Sequence, residues 1–259
     1  MYRLTNLRTL DLSKNNISQL DVRFGNKLTN LKSLNMENNK LTGGTAVAVI
    51  SKLTKLQNLS LGGNMIGRLS ATSSSTTSSS SSNNNTNAME VLPSPLPNGL
   101  KQLKLNDNYL SNVPRSIVSV TPYLSKLEIL DLSSNQLASI PIDIINLTKL
   151  IELNLDNNVI VSLPTEIGKL SHLKQLSLRN NHITCTSTNF DDVKNPQPLP
   201  STLFTDTPLI DLNLHGNPMT STQLNKFVGY DKFLERRQQI KTNALLGGAL
   251  TNLDVCGLE

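Results

Sequence analysis

The sequence predicts an α/β solenoid, with a curved parallel β-sheet on its concave face and short helical or 3₁₀ segments on its convex face. An eleven-residue pattern, L-x-x-L-x-L-x-x-N-x-L, recurs eight times, and recurrence at a fixed spacing is the mark of stacked repeats. Apolar residues make up 37% of the chain and aromatic residues only 3%. The core must therefore be built from Leu and Ile, which a repeated unit places at the same spot each time.

The strand of each repeat follows from alternation within the pattern. The copies begin at Leu7, Leu31, Leu56, Leu100, Leu127, Leu150, Leu173 and Leu209. Because side chains alternate between the two faces of a strand, Leu130 and Leu132 point inward while Asp131 points outward. No repeat can bury its own apolar face, so we expect adjacent repeats to stack.

The ninth position of each copy predicts a ladder of asparagines. These residues are Asn15, Asn39, Asn64, Asn108, Asn135, Asn158, Asn181 and Asn217. An Asn amide has two donors and an acceptor, so it can satisfy backbone groups where the chain turns out of the strand. Replacing Asn135 or Asn158 with Ala should leave buried backbone groups unpaired, at roughly 1–3 kcal/mol each.

The segment after each turn predicts the convex side. Ile140-Pro141-x-x-Ile144-x-x-Leu147 has an apolar residue at every third position, and Leu163-Pro164-x-x-Ile167 repeats the spacing. That period suits a short helical or 3₁₀ segment. Proline presets the backbone angle where the segment begins.

Two breaks in the period define the domain organisation. A Ser/Thr/Asn-rich stretch at about 70–90 is expected to be a disordered insert, because it cannot bury enough apolar surface to offset its ordering entropy. It could be a phosphorylation-tuned linker or a tolerated repeat expansion. A second, loop-like insert is expected at about 186–203. The predicted solenoid covers 1–220, a helical cap covers 221–245 and a tail covers 246–259.

The two ends of the predicted solenoid differ. Spaced apolar residues suit a cap helix that is broken near Gly229; they are Leu224, Phe227, Tyr230, Phe233 and Leu234. At the other end, almost nothing precedes the first repeat at Leu7, so its core should be open. Either a partner covers it or the chain lacks an amino-terminal segment.

Charge and cysteine content suggest the setting. The net charge is +5 with a pI of about 9.2, compatible with acidic partners. Secreted repeat proteins commonly protect their ends with disulfide-rich caps, but this chain has only Cys185 and Cys256, which lie far apart and have no ligand-like spacing. Their scarcity favours a reducing, cytoplasmic compartment. The cap could rest on anionic lipid or be an ordinary solvated face; its basic residues are Lys226, Lys232, Arg236, Arg237 and Lys241. Nucleic-acid binding is not expected, because no aromatic residues alternate with the basic ones.

The repeats resemble those of the intracellular leucine-rich repeat proteins across most of the chain. The run FVGYDKFLERR from Phe227 to Arg237 is similar to the carboxy-terminal cap of the small family represented by leucine-rich repeat-containing protein 57. That resemblance implies a cytosolic or membrane-associated interaction protein without known chemistry. Members that begin Met-Gly can be myristoylated, whereas Tyr2 stands at that position here. Similar proteins of a wider circle act in Ras-type small-GTPase signalling.

No motif indicates catalysis, so we expect neither an enzyme nor a cofactor or metal. His172, His182 and His215 lack an obvious Cys or Asp partner at metal spacing. No Ser lies in a nucleophile elbow, and the Gly-Gly pairs lack the flanking Lys of a phosphate loop.

The concave sheet face is the candidate binding site. Its proposed contact residues are Asp11, Asn35, Glu37, Lys104, Asn106, Asp131, Glu152, Asn154, Asp156, Gln175, Arg179 and His215. Because neighbouring strands lie about 4.7–4.9 Å apart, we expect Asp131, Glu152 and Asp156 to form an acidic centre. Lys104 and Arg179 would flank it. A partner with basic groups would fit this centre, although a solvated sheet face would have the same composition.

The predicted function is a monomeric cytosolic scaffold or adaptor that binds a protein on this face. The alternative is a regulator of a signalling enzyme, such as a small GTPase or a phosphatase, with the solenoid as its docking arm.

Overall fold

The computed structural model describes residues 5–68, 91–119, 124–185 and 197–246, without the side chains of 241 and 243–246. Its eight strands form one parallel sheet in chain order, β1 to β8. The strands are β1 (Thr9–Asp11), β2 (Ser33–Asn35), β3 (Asn58–Ser60), β4 (Gln102–Lys104), β5 (Ile129–Asp131), β6 (Glu152–Asn154), β7 (Gln175–Ser177) and β8 (Asp211–Asn213). Each repeat therefore adds one strand beside the strand of the previous repeat. The predicted solenoid is confirmed.

The aliphatic core lies directly behind the sheet. The central Leu of each strand pairs with that of the next, as Leu130 does with Leu153, and both are at most 1% exposed. Full burial of a Leu stabilises the fold by roughly 1.5–3 kcal/mol. Leu10 and Leu12 of the first repeat are only half-buried.

Short helices and 3₁₀ segments cover the other side of this core, as predicted. Those between the strands are α1 (Val22–Lys27), α2 (Arg115–Val118), α3 (Ser201–Thr205) and 3₁₀ segments at Gly44–Ala46, Ala48–Lys52, Ile142–Asn146 and Thr165–Lys169. Pro141 and Pro164 stand directly before the last two 3₁₀ segments in extended conformation. Ile144 and Ile167 are fully buried beneath them.

The two predicted inserts lie mostly outside the described residues, at 69–90 and 186–196. β3 pairs directly with β4, so the first insert leaves the register of the sheet intact. The predicted boundary of the second insert is wrong. Leu199 and Leu203 are buried, and Pro200 begins α3. Residues 199–203 are therefore the regular convex segment of this repeat, because they repeat the apolar-Pro-x-x-apolar spacing of Ile140 to Ile144.

Two helices follow the last strand, α4 (Ser221–Leu224) and α5 (Tyr230–Leu246). The chain turns between them at Gly229, whose φ of +83° is readily adopted only by glycine. α5 brings Tyr230 and Phe233 onto Phe204 of α3, at ring-centroid distances of 5.5 and 6.1 Å. Aromatic packing thus covers the last repeat, whereas the described core of the other repeats is mainly aliphatic, with Phe24 of α1 as an exception.

Two cap arginines belong to this packing. Arg236 donates from Nε to the Leu209 carbonyl (3.0 Å) and from Nη2 to the Phe204 carbonyl (2.8 Å). Its partial burial lowers the pKa of its guanidinium. Arg237 is 4% exposed, with its guanidinium 5.5 Å from the Phe233 ring centre. Arg236 therefore helps to hold the cap on the solenoid, and Arg237 is buried within the cap. Contact of the cap with an anionic membrane stays a prediction.

The asparagine side chains connect consecutive turns. Asn158 donates from Nδ2 to the carbonyls of Leu155 (3.0 Å), Asp156 (3.1 Å) and, in the previous repeat, Leu132 (3.1 Å). Its Oδ1 accepts from the Leu137 amide, 3.0 Å away. Equivalent bonds recur from Asn39 to Asn217. The whole set is Asn15, Asn39, Asn64, Asn108, Asn135, Asn158, Asn181 and Asn217; Asn15 bonds only within its own repeat.

The eighth position of every repeat has a left-handed backbone, which the sequence analysis missed. These residues, with φ between +51° and +76°, are Lys14, Asn38, Gly63, Asp107, Ser134, Asn157, Asn180 and Gly216. Six of the eight are Asn, Gly or Asp, the residues that tolerate this conformation best. This turn directs the side chain of the ninth-position Asn toward the interior of the solenoid.

Candidate binding face

Three rows of side chains run across the outer face of the sheet, which we call the sheet face. The first row, at the third repeat position, is Thr9, Ser33, Asn58, Gln102, Ile129, Glu152, Gln175 and Asp211. The second row, at the fifth position, is Asp11, Asn35, Ser60, Lys104, Asp131, Asn154, Ser177 and Asn213. The third row, at the seventh position where each strand has ended, is Ser13, Glu37, Gly62, Asn106, Ser133, Asp156, Arg179 and His215. All twelve predicted contact residues lie in these rows.

Much of the second row is engaged in holding the chain where it leaves the strand. The side-chain oxygen accepts a hydrogen bond from the amide two residues later in five repeats: at Asp11 (2.8 Å), Asn35 (3.0 Å), Asp131 (3.0 Å), Asn154 (3.1 Å) and Asn213 (3.1 Å). Hydrogen bonds from Ser13 hold the pKa of the Asp11 carboxyl below its usual value. The side chains of these residues therefore stabilise the turn, and only some of their hydrogen-bonding atoms remain available for an external contact.

The seventh repeat achieves the same result with a residue from its neighbour. Ser177 replaces the Asp or Asn of the second row, and the Arg179 amide donates instead to Asp156 Oδ1 at 2.7 Å. The Ser177 hydroxyl donates to the same oxygen at 2.6 Å. Asp156 is thus held across two repeats, with its carboxylate fixed on the sheet face.

The first row differs, because its hydrogen-bonding groups are unused. Within the described parts of the chain, no side chain of this row forms a hydrogen bond or an ion pair. Glu152, Gln175 and Asp211 are consecutive members of it, paired in register. A carboxylate, an amide and a second carboxylate are therefore presented side by side.

These three side chains border a shallow depression over the last three strands. It has a volume of about 150 Å³, and its polar lining is Glu152, Asn154, Asp156, Gln175, Ser177, Asp211 and Asn213. Three carboxylates of this lining have no Lys or Arg within ion-pair distance among the described residues. The depression is therefore acidic and offers acceptors to a bound group.

The predicted acidic centre of Asp131, Glu152 and Asp156 stays a prediction, and two of its three members line the depression. Asp131 pairs in register with Lys104 and Asn154 and does not line the depression. Glu152 lies between Ile129 and Gln175 instead. Asp131, Glu152 and Asp156 occupy three different rows, because they stand at the fifth, third and seventh positions of their repeats. The third carboxylate of the depression is Asp211, two strands beyond Glu152 toward the cap.

The remaining predicted contact residues do not line the depression. Glu37 and Asn106 lie in the third row far from the cap, and Asn106 donates to Asp107 at 2.6 Å. Arg179 and His215 are exposed at the strand ends of the last repeats. In the described residues, no group of His, Cys, Asp or Glu could hold a metal ion. No helix within the described ranges is long and apolar enough to cross a membrane.

Known proteins share this architecture. The leucine rich repeat family model matches residues 5–66 and 125–183. Osteomodulin of Bos taurus is 32% identical over 149 residues, 57% of this chain and 29% of that protein. The probable serine/threonine-protein kinase pats1 of Dictyostelium discoideum is 30% identical over 159 residues, 59% of this chain and 5% of that protein. The chain thus spans less than a third of the length of either relative.

A solved structure agrees with the same fold. A leucine-rich repeat protein of Leptospira interrogans superposes with a TM-score of 0.65 and 26% identity, over 90% of this chain and 48% of that one. The narrower resemblance to leucine-rich repeat-containing protein 57 stays a prediction.

Proposed function

We propose that this chain, which the leucine rich repeat family model matches over residues 5–66 and 125–183, is a non-catalytic binding module that holds a protein partner on its sheet face. Leucine-rich repeat domains generally mediate protein–protein interaction. One observation supports the sheet face in particular. The donors and acceptors of the first row form no hydrogen bonds within the described residues, whereas five side chains of the second row accept hydrogen bonds from backbone amides at the turns. We further propose that the protein is a monomeric scaffold or adaptor in the cytoplasm.

The chemistry of the depression favours a partner with basic groups. Glu152, Asp156 and Asp211 lie on one shallow surface, where a Lys or Arg side chain could contact more than one carboxylate. Ser177 and Arg179 already fix one oxygen of Asp156, so a guanidinium or ammonium would meet a preset acceptor. Charge-assisted bonds of this kind are about twice as strong as neutral ones.

Charge reversal on the full chain tests the proposal. Glu152→Lys/Asp211→Lys changes the first row, and Asp143→Lys/Glu166→Lys makes the same charge change on the convex 3₁₀ segments. We expect the first variant to lose at least one protein that the wild type and the convex variant both recover from extract. Identical recovery by all three baits would refute binding at the sheet face, provided that circular dichroism shows all three folded.

A second candidate function, regulation of a signalling enzyme, is favoured by the similarity to the probable kinase pats1. In this case the solenoid would dock a small GTPase or a phosphatase of a signalling pathway. Recovery of a GTPase that depends on its bound nucleotide would support this candidate. Recovery of the GTPase to the same extent with either bound nucleotide would favour the scaffold function over regulation of the GTPase.

A further inference from the structure

A second charged surface runs along the edge of the sheet where the strands begin. We define this strand-start edge by two residues of each repeat: the one directly before its first Leu, and the one directly after it. Each of the first seven repeats contributes one cation to it, namely Arg8, Lys32, Lys55, Lys101, Lys126, Lys149 and Lys174. All seven side chains are exposed, so the edge presents a row of positive charge along most of the solenoid.

Contacts between neighbouring repeats show that these residues are in line. The Lys32 amide donates to the Arg8 carbonyl at 2.7 Å, and the Glu128 amide donates to the Lys101 carbonyl at 2.8 Å. Lys149 Nζ lies 3.5 Å from Nε2 of His172, the equivalent residue one repeat later. Backbone hydrogen bonds therefore connect the residues directly after the first Leu of neighbouring repeats, and a side-chain contact connects two of the residues directly before it.

Little of this charge is neutralised inside the molecule. Lys101 forms an ion pair with Glu128 at 3.0 Å. No other cation of the strand-start edge has a carboxylate within ion-pair distance among the residues that the structure describes. The opposite edge, where the strands end, carries both signs: Lys14 and Arg179 are basic, and Asp107 and Asp156 are acidic. The strand-start edge therefore keeps a large excess of positive charge, and such an excess attracts partners of the opposite sign over several ångströms.

We propose that the strand-start edge binds an extended acidic segment of a partner protein. Six strand spacings of about 4.7–4.9 Å separate the first cation of the row from the seventh, which makes the row roughly 29 Å long. An extended polypeptide advances about 3.3 Å per residue, so about nine residues rich in Asp and Glu span the row. The edge also adjoins the first row of the sheet face, since Lys101 and Lys174 directly precede β4 and β7. One partner can reach both surfaces.

The chemistry of the row favours a polypeptide over nucleic acid. Proteins that bind single strands stack bases on aromatic side chains, and none of the edge positions holds Phe or Tyr. In the described part, Phe24 is buried in α1, and Phe204, Phe227, Tyr230 and Phe233 are buried where α3 meets the cap. Tyr109 follows the strand at the opposite edge. Carboxylates on flexible side chains need no stacking surface and can adjust to one cation per repeat.

A labelled oligoglutamate peptide and the full-length chain provide a direct test, with fluorescence anisotropy as the readout. The edge variant is Lys55→Gln/Lys126→Gln/Lys149→Gln. The matched control, Lys14→Gln/Lys40→Gln/Lys169→Gln, removes the same charge from exposed positions outside both this edge and the sheet face. We expect the edge variant to bind about tenfold more weakly than the wild type, because each exposed ion pair contributes a few-fold. The control should stay within about twofold at the same salt concentration.

Several results would overturn the proposal. Equal weakening of both variants would show attraction to net charge alone, and no binding at low salt would show that the row is too weak to act. Heparin, single-stranded DNA or phosphatidylserine vesicles that bind more tightly than the peptide, with the same dependence on the edge, would assign the surface to another polyanion. None of these results depends on the sheet face, so the test is independent of the proposed function.

Discussion

Removal of one buried asparagine should destabilise the fold far more than its size suggests. In Asn158→Ala the buried Leu137 amide loses its acceptor, Asn158 Oδ1 at 3.0 Å. The carbonyls of Leu132 and Leu155 lose one donor each but keep those from Asn135 and Asn181. One stranded amide costs about 1–3 kcal/mol. With the weakened carbonyl bonds, we expect a loss of about 2–4 kcal/mol in the free energy of unfolding.

The first repeat offers a matched control for this loss. Asn15 holds the same repeat position but is exposed, donating only to Leu12 and Ser13 of its own repeat. Asn15→Ala should therefore cost less than about 1 kcal/mol. Urea denaturation followed by circular dichroism measures both variants, and their m-values should match that of the wild type. Equal losses for the two variants would refute the ladder as the source of the stability.

Three further predictions concern single residues. Ser134→Gly should leave stability unchanged or raise it by up to about 1 kcal/mol in the same denaturation assay, because φ at Ser134 is +52° and glycine has no steric penalty there. Arg236→Ala should cost about 1–3 kcal/mol in thermal or urea unfolding, because two backbone carbonyls lose their donor; exposed Lys232→Ala should stay within about 0.5 kcal/mol. Side-chain hydrogen bonds from Arg23 lower the pKa of Asp21 to about 2, so its contribution to stability holds above the unfolded pKa and is lost as the pH falls toward 2. NMR titration of Arg23→Ala should show the Asp21 pKa rising toward 3.8.

The parallel sheet and the asparagine ladder could be predicted from the sequence because the residues that form them recur in every repeat. Leu130 and Asn135 recur in kind at every copy, so one misread repeat could not have changed the sheet or the ladder. The left-handed eighth position was missed because its residues vary from Lys14 to Gly216. Their common tendency toward Asn, Asp and Gly was a usable signal.

The candidate site was predicted less well because it depends on position within a three-residue strand. Asp131 and Glu152 are close in the repeat pattern but belong to different rows. Counting repeat positions would have shown this and would have placed Asp211 in the same row as Glu152. The burial of Arg237 could also have been inferred, since it stands four residues after Phe233 on the same face of a helix. The hydrogen bonds of Arg236 depend on where α5 docks, which no local pattern shows.

Site-specific photo-crosslinking tests binding at the sheet face most directly. A photoreactive amino acid would replace Gln175, between Glu152 and Asp211, or exposed Asp143 on the convex side. We expect the full chain labelled at position 175 to form a discrete adduct with a protein partner in extract, and the chain labelled at position 143 to form none with that protein. Adducts at position 143 alone, or equally at both positions, would contradict binding at the sheet face.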